Sequence, residues 1–319
     1  MFEVLRAGVL TTVQDLGRQG YRHLGVALCG ALDPEALICG NRLVGNEPGC
    51  AGLEVTFGPV ELRFLEDGWL ALTGADFEAV LDDIPIWCGW SHPVRAGQTL
   101  KLRGTKYGMR AYLALSGGID VPLVMGSRST DLKAGFGGFK GRALLVGDRL
   151  SLGTSDYDGP RRGGPLRYWH SSIRVLTGPD WTTFAPPSQQ VFWQQEWLVS
   201  QDSNRMGYRL QGDELHFSEP LSLLSHAVWP GIIQVPPSGQ PIVLMADAQT
   251  TGGYPRVGQV IEADLWLLAQ SRPGTRLKFV PCSLAEAQDI RRGRAHERYR
   301  FELALGGMRQ KAEVWQEKV

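Results

Sequence analysis

The fold class can be read from the stretch Leu53-Glu54-Val55-Thr56-Phe57-Gly58-Pro59-Val60-Glu61-Leu62-Arg63-Phe64. Two short runs rich in β-branched and large apolar residues flank a Gly-Pro turn, and in part they alternate with polar residues. Alternation with a period of two indicates strands with one buried side. Similar runs recur among the 40 glycines of the chain, for example Trp69-Leu70-Ala71-Leu72. The sequence therefore predicts a mainly β fold with a few helices, and barrel-like sheets fit better than a parallel doubly wound sheet.

Length and composition limit the classes of function. A chain of 319 residues, 43% of them hydrophobic, can bury two ordinary cores, so we expect two domains. The 33 basic and 33 acidic residues cancel, which argues against nucleic acid or an anionic membrane as a partner. The five cysteines and six histidines show no zinc or redox spacing, and no metal site is predicted. With no signal-peptide pattern and no run of 18 apolar residues, we expect a cytoplasmic protein.

Two helices are predicted from their first residues. Asp33 is a helix N-cap followed by Pro34 in the first turn, and this helix is expected to end near Gly45. Ser283 and Glu286 form a capping box at the start of a second helix, whose many charged residues indicate a solvated face.

The two halves of the chain resemble each other weakly. Four pairs of segments recur in the same order: 4–12 with 175–183, 18–22 with 205–209, 70–75 with 242–247, and 97–102 with 274–279. Collinear matches favour two related domains packed with pseudo-twofold symmetry. Residues 154–167 have the Gly- and Pro-rich composition of a linker. The predicted division is a first domain at 1–155, a second at 168–285 and a C-terminal helical tail at 286–319.

Polar residues concentrate after two predicted strands. One group is Asp247-Ala248-Gln249-Thr250-Thr251-Gly252-Gly253-Tyr254-Pro255-Arg256, which follows an apolar run at 241–245. The other is Gly126-Ser127-Arg128-Ser129-Thr130-Asp131-Leu132-Lys133, beyond an apolar run at 111–115. Hydroxyls, backbone N–H groups and arginines suit an anionic ligand such as a carboxylate or phosphate. The alternative for both groups is a tight turn whose hydroxyls and carboxylates bond the local backbone.

Two further motifs leave their roles open. The run Gly135-Phe136-Gly137-Gly138-Phe139-Lys140-Gly141 lacks the Ser or Thr that a phosphate loop needs after its lysine, so it indicates a flexible loop or a lid. Arg18-Gln19-Gly20-Tyr21-Arg22 returns as Arg205-Met206-Gly207-Tyr208-Arg209. These arginines can grip an anionic substrate in a cleft between the domains, or pair with buried carboxylates such as Asp15 and Asp202.

Taken together, these motifs resemble one family. The likeness is carried by residues 12–22, 29–33, 117–122, 126–130, 203–209 and 249–256. These segments are similar to the biotin-dependent carboxyltransferase-like family, also called allophanate hydrolase subunit 2-like, and the likeness covers essentially residues 1–285. The resemblance implies two tandem cyclophilin-like β-barrel domains, in agreement with the duplication.

The resemblance also implies a function. It points to one component of a multi-subunit, ATP-dependent 5-oxoprolinase, which converts 5-oxo-L-proline to L-glutamate and assembles from this component with 5-oxoprolinase subunits B and A. ATP would be used by the complex, Mg²⁺ can accompany it, and no tightly bound cofactor is expected. The chain is expected to be inactive alone, because it carries no phosphate loop. Two alternatives within the family stay open: a carboxyltransferase-type component of urea or allophanate metabolism, and a non-enzymatic antagonist of a kinase-inhibitor protein.

The family pattern supplies no agreed catalytic residue, so the candidate residues rest on their chemistry. Hydrolysis of a lactam through phosphorylation of its oxygen requires groups that hold the substrate carboxylate and stabilise phosphate charge. The predicted catalytic residues are Asp131, Lys133 and Asp247. The predicted substrate- or phosphate-binding residues are Arg18, Arg128, Ser129, Thr130, Arg205, Gln249, Thr250, Thr251, Tyr254 and Arg256. Five of these, Arg128, Lys133, Gln249, Thr250 and Arg256, are expected to converge on one pocket.

Overall fold

The structure, a computed structural model, describes residues 1–219 and 223–316, without the side chains of 307–316. The described part is mainly β with four α-helices, which confirms the predicted fold class at that level. It contains two compact units. Unit 1 comprises residues 1–18, 33–168 and the chain from 295 onwards, and unit 2 comprises residues 19–32 and 169–294. Among the described helices, none combines the length and apolar character needed to cross a membrane.

Unit 1 contains two antiparallel sheets. Its strands are β1 (Phe2–Arg6), β2 (Leu10–Gln14), β3 (Gly52–Thr56), β4 (Val60–Phe64), β5 (Gly68–Gly74), β6 (Val80–Leu81), β7 (Ile84–Pro85), β8 (Ser91–Val94), β9 (Thr99–Leu102), β10 (Arg110–Leu115) and β11 (Arg149–Leu150). One sheet has the order β11-β1-β4-β9-β6-β7, and the other has the order β2-β3-β10-β5-β8. The two predicted strands at 53–64 are β3 and β4, and the Gly-Pro turn between them carries the chain from one sheet to the other.

The core of unit 1 takes residues from both sheets. Phe2 and Leu62 come from the first sheet, Leu53 and Leu113 from the second, and all four are fully buried. Strand β10 is buried along its whole length, because helix α1 (Pro34–Leu43) packs against it as well. A central strand with both faces covered gives a continuous apolar run rather than an alternating one, which is how β10 reads in the sequence.

Helix α1 begins as predicted. The Asp33 carboxylate accepts a hydrogen bond from the N–H of Ala36 at 3.2 Å, and proline stands in the first turn. The same carboxylate binds Arg167, and the Asp33 N–H donates to the Tyr112 hydroxyl at 2.8 Å. That hydroxyl donates in turn to Glu54 at 2.8 Å. Burial, followed by the nearby negative charge of Glu54, raises the pKa of Tyr112 well above its ordinary value. A chain of buried polar contacts thus joins α1 to the second sheet of unit 1.

Unit 1 also contains an ion pair and two unreactive thiols. Arg142 donates to both oxygens of Asp148, at 2.6 and 2.8 Å, and these hydrogen bonds hold the pKa of Asp148 below its ordinary value. Burial raises the pKa of the Cys39 and Cys88 thiols to about 12.

Unit 2 is built on a closed barrel of seven strands. These are β12 (Ser172–Thr177), β13 (Trp197–Val199), β14 (Gly207–Gln211), β16 (Ile232–Gln234), β17 (Ile242–Leu244), β19 (Arg256–Val260) and β20 (Arg276–Pro281), closed in the order β12-β19-β16-β17-β14-β13-β20. A separate two-stranded ribbon pairs β15 (His226–Ala227) with β18 (Thr251–Gly252). Helices α2 (Pro186–Gln194) and α3 (Leu265–Ala269) also belong to this unit, and short 3-10 turns lie at Arg22–Leu24, Trp181–Thr183 and Glu262–Asp264.

The core of unit 2 is rich in aromatic residues. Phe192 of α2 stacks on Phe279 of β20 with ring centroids 4.9 Å apart, and Trp197 of β13 lies beside both rings. All three side chains are fully buried. Aromatic pairs of this kind contribute about 0.5–1.5 kcal/mol beyond the burial of their surface.

Helix α4 (Leu284–Gln316) begins at the predicted capping box. The N–H and the hydroxyl of Ser283 donate to the Glu286 carboxylate, both at 2.7 Å, while the N–H of Glu286 donates to the Ser283 hydroxyl at 3.2 Å. The two hydrogen bonds from Ser283 lower the pKa of the Glu286 carboxyl. Residues 317–319 of the predicted helical tail lie outside the described residues.

Candidate functional site

In unit 1, the predicted segment 126–130 is fastened to the N-terminal part of the chain by Asp15. The buried Asp15 carboxylate accepts hydrogen bonds from the hydroxyls of Ser127, at 2.7 Å, and Ser129, and from the N–H groups of Gly17, at 2.8 Å, and Arg128, at 2.5 Å. The Thr130 hydroxyl donates to the Val13 carbonyl at 2.9 Å. The hydroxyls of Ser129 and Thr130 are therefore engaged inside the protein, but by partners more than 110 residues away rather than by the local backbone that the turn alternative expected.

Arg18 is a fully buried cation held by backbone carbonyls. Its Nε donates to the Val124 carbonyl at 3.2 Å, its Nη2 donates to the Ser129 carbonyl, and its guanidinium lies 4.7 Å from the centre of the Phe136 ring. Its Nη1 is buried without a hydrogen-bond partner. The described contacts of Asp15 are with other groups, so the pairing of Arg18 with Asp15 that the sequence suggested is not formed.

The other candidates of unit 1 differ in whether their charged side chains remain accessible to a ligand. The Asp131 carboxylate is buried and accepts the N–H groups of Lys133, at 3.1 Å, and Ala134, at 2.9 Å, so it caps its own turn. The Lys133 side chain is exposed. Arg128 donates from Nε to the Val121 carbonyl at 2.9 Å and lies 3.5 Å from Asp120, with 35% of its side chain exposed. Lys133 and Arg128 can thus still meet a ligand from solvent.

In unit 2, Arg205 and Asp247 form a buried ion pair. Nε and Nη2 of Arg205 donate to the two oxygens of Asp247 at 2.9 and 2.8 Å, and only 4% and 5% of the two side chains are exposed. Nη2 also donates to the Gly30 carbonyl at 2.6 Å. The sequence offered Asp202 as a carboxylate for this arginine, and the structure gives it Asp247 instead. The pair neutralises both charges and fastens the segment around residue 30 to the barrel.

The polar segment that follows Asp247 runs along the ribbon. Thr251 pairs with Ala227 across β15 and β18, and the Thr250 carbonyl accepts the N–H of Val228 at 3.1 Å. Gln249 and Thr251 are exposed, and Tyr254 has 46% of its surface exposed. These side chains line a surface of unit 2 that solvent and a ligand can reach.

Arg256 closes this segment with a second ion pair. Its N–H and Nε both donate to the same oxygen of Asp180 at 2.9 Å. Burial opposes ionisation of Asp180, but the hydrogen bonds and the positive charge of Arg256 outweigh it, so the pKa of Asp180 lies below its ordinary value. Arg256 is therefore a neutralised cation with 26% of its side chain exposed.

This surface also contains Arg22, His226 and Trp229, which were not among the predicted site residues, although the sequence offered Arg22 as an anion-binding arginine of the repeated motif. Arg22 lies over the Trp229 ring at 4.6 Å, and its Nη2 donates to the carbonyls of Val228 and, at 3.3 Å, of Gln249. Nδ1 of His226 lies 3.1 Å from the Leu224 carbonyl, and because a carbonyl only accepts, Nδ1 carries the proton. Nε2 of His226 and Nη1 of Arg22 are both buried without a partner. The signal that identifies these residues is a buried polar atom without a hydrogen-bond partner, and such an atom can be recognised only in a three-dimensional structure.

The predicted site residues thus fall into two groups. Arg18, Arg128, Ser129, Thr130, Asp131 and Lys133 belong to unit 1, whereas Arg205, Asp247, Gln249, Thr250, Thr251, Tyr254 and Arg256 belong to unit 2. Their convergence on one pocket stays a prediction. Within residues 1–219 and 223–306, no group of three or more His, Cys, Asp or Glu side chains is arranged to hold a metal ion.

Comparisons with known proteins agree on the relationship. The family model described as "Carboxyltransferase domain, subdomain A and B" matches residues 24–281. The chain is 52% identical over 305 residues to the C subunit of 5-oxoprolinase from Escherichia coli K12, covering 95% of this chain and 98% of that protein. It is 31% identical to the urea amidolyase of Lachancea kluyveri, covering 91% of this chain but 17% of that protein.

Among solved structures, the urea amidolyase of Kluyveromyces lactis matches with a TM-score of 0.84 and 31% identity. The match covers 91% of this chain and 19% of that much longer protein. Since the family model covers well over half of the chain, and both sequence and structure agree with it, the chain belongs to the carboxyltransferase domain family, subdomains A and B.

Proposed function

We propose that this chain is one component of an ATP-dependent 5-oxoprolinase that hydrolyses the lactam of 5-oxo-L-proline to L-glutamate. The observation that carries the proposal is the match to the C subunit of the E. coli 5-oxoprolinase, at 52% identity along almost the whole of both proteins. The urea amidolyase relatives support the carboxyltransferase-type alternative less well, because the chain matches only 17% of their length at 31% identity.

The proposed complex also contains 5-oxoprolinase subunits A and B, and the chain alone has no turnover. ATP is a substrate of the complex, with Mg²⁺ as its companion ion. Phosphorylation of the lactam oxygen makes the ring carbon a better electrophile for water, so the site must bind the substrate carboxylate and stabilise phosphate charge. A chain without a phosphate loop supplies only part of that chemistry.

The contacts of the candidate residues suggest how they share the work. Lys133, Arg128, Gln249, Thr251 and Tyr254 are exposed or half-exposed and are the stronger candidates for ligand contact. The catalytic roles predicted for Asp131 and Asp247 remain proposals, because both carboxylates already accept hydrogen bonds within the protein. We further propose that the two units derive from duplicated cyclophilin-like barrels, with the closed barrel of unit 2 as the better preserved copy.

The proposed function is tested by reconstitution. The chain and its two partner subunits are purified separately and assayed in every combination for release of glutamate and of ADP from 5-oxoproline and ATP. We expect turnover from the three together and none from this chain alone. Turnover by the isolated chain would refute the division of labour. Biotin-dependent transfer of a carboxyl group to urea, in place of glutamate release, would favour the carboxyltransferase alternative.

A further inference from the structure

We propose that Arg22 binds the carboxylate of the small-molecule substrate in unit 2, beside the ribbon of β15 and β18. The inference rests on the proposed function for the identity of that substrate, a five-membered lactam that carries one carboxylate. Arg22 is one of four arginines in the repeated motif. Arg18 also donates to backbone carbonyls and leaves Nη1 without a partner, but it is fully buried. Arg205 is paired with Asp247 and Arg209 is exposed, whereas Arg22 is half-buried beside solvent.

The charge of Arg22 has no counter-ion in the described part of the chain. Its Nη2 donates to two neutral carbonyls, those of Val228 and Gln249, and no carboxylate pairs with it there. Nη1 is buried and has no acceptor. Burial lowers the pKa of this guanidinium, which means that the surroundings disfavour its charge. A bound anion would offset that cost and supply the acceptor that Nη1 lacks.

Other half-buried or buried arginines of unit 2 are neutralised within the protein. Arg174 pairs with Asp264 at 2.6 Å, Arg205 with Asp247 at 2.8 Å and Arg256 with Asp180 at 2.9 Å. A structural role is sufficient to explain arginines of that kind, because each offsets a carboxylate in the fold. Arg22 offsets none, so its positive charge is available to an external anion.

The surroundings of Arg22 strengthen an interaction with an anion. The Trp229 ring covers the guanidinium while 51% of its own surface remains exposed, so the cation is shielded from water yet lies next to solvent. Shielding from water lowers the local dielectric constant and increases the attraction between opposite charges. Gln249, whose backbone carbonyl accepts from Arg22, has an exposed side chain that adds a neutral donor and acceptor to this surface.

The chemistry of this surface favours a carboxylate over the phosphates of ATP. A single guanidinium matches a monoanion in charge, whereas nucleotide phosphates are bound by several cations and a metal ion. His226 adds a second unmet group two residues before Val228. In the neutral imidazole, Nε2 is an acceptor without a donor, and a lactam N–H is such a donor. A cyclic lactam acid carries both a carboxylate for Nη1 of Arg22 and an N–H for Nε2 of His226.

The test is steady-state kinetics of the assembled complex with Arg22→Gln and Arg22→Lys. We expect the KM for 5-oxoproline to rise about 10- to 100-fold in Arg22→Gln, with the KM for ATP within about twofold of the wild type, because one charge-assisted contact is lost. Arg22→Lys should raise the same KM about tenfold, since the ammonium keeps the charge but does not place a donor where Nη1 lies. Arg209→Gln, the same change at the corresponding motif position on an exposed side chain, is the matched control and should leave both values unchanged.

An unchanged KM for 5-oxoproline, or a rise confined to the KM for ATP, overturns the proposal. If Arg22→Gln does not fold or assemble, Arg22→Lys decides the question by the same two criteria. If neither variant assembles, inhibition of the wild-type complex by a five-membered ring carboxylate and by its carboxamide decides it: equal inhibition by both overturns the proposal. A wild-type complex without 5-oxoproline turnover would instead refute the proposed function. Calorimetric titration of 5-oxoproline into the isolated wild-type and Arg22→Gln chains then tests Arg22, and equal or absent binding overturns its assignment.

Discussion

Asp247→Asn separates a structural role of this carboxylate from the catalytic one predicted for it. The substitution removes a charge from a pair whose side chains are 4% and 5% exposed, and it leaves the guanidinium of Arg205 buried beside a neutral amide. Loss of one partner of such a pair costs about 3–5 kcal/mol, because the remaining charge is uncompensated in a medium of low dielectric constant. For a domain of this size, that loss corresponds to a fall in Tm of roughly 6–20 °C. The contact of Arg205 with Gly30 would weaken at the same time.

The assay is chemical and thermal unfolding of the purified chain, followed by circular dichroism. The matched control is Asp289→Asn, which removes one carboxylate from the exposed pair with Arg292, 3.0 Å apart, and should change the free energy of unfolding by less than about 0.5 kcal/mol. The double substitution Arg205→Met with Asp247→Leu should recover most of the loss, because it leaves no unpaired charge. A variant Asp247→Asn that is as stable as the wild type, yet inactive in the assembled complex, would refute the structural reasoning and support a catalytic role.

Three further outcomes are expected. Gly137→Ala should lower the free energy of unfolding by more than about 3 kcal/mol, because the added Cβ would lie 2.2 Å from a backbone carbonyl oxygen at a φ of +69°. Gly135→Ala, at a φ of +70° with no atom within 4 Å of the added Cβ, should lower it by only about 1–2 kcal/mol through backbone strain. Equal losses of stability in urea unfolding would contradict this reasoning. Asp148→Asn should lower the free energy of unfolding at neutral pH, where the ionised carboxylate stabilises the folded chain. The wild type loses the same contribution as the pH falls from the ordinary pKa of 3.8 through the lowered pKa of this carboxyl, so the stabilities of the two proteins should approach each other below about pH 4. Cys39 and Cys88, with pKa values of about 12, should resist alkylation by iodoacetamide at pH 8 until the chain is unfolded, and rapid labelling of the native protein, seen by mass spectrometry, would argue against their burial.

The parts of the fold that the sequence predicted well are those set by neighbours along the chain. The strands at 53–64 follow from alternation, and the N-cap at Asp33 and the capping box at Ser283 follow from side chains that reach only two or three residues. Such contacts depend on local spacing, so a single sequence contains enough information to find them.

The partners of the site residues could not be predicted in the same way. Asp15 binds hydroxyls more than 110 positions away, and Arg205 binds Asp247 rather than the nearby Asp202. Composition identifies a group that needs a partner, but only the fold selects which one it finds. The repeated arginine motif illustrates this limit. Arg22 begins a short 3-10 turn, whereas the matching residue Arg209 lies within strand β14, so similar residues meet different surroundings.

The two units are interleaved along the chain, and this interleaving affects how the protein folds while the ribosome synthesises it. Residues 19–32 are synthesised well before the rest of unit 2, which begins at residue 169, and unit 1 includes residues from 295 onwards. Domains elsewhere in biology usually fold as each one leaves the tunnel, at about 5–20 residues per second. Here the early segment has to wait on the order of ten seconds for its barrel, and its apolar and charged side chains stay exposed to other nascent chains meanwhile. Holding this segment open until the barrel arrives is a task that a chaperone bound near the ribosome could perform.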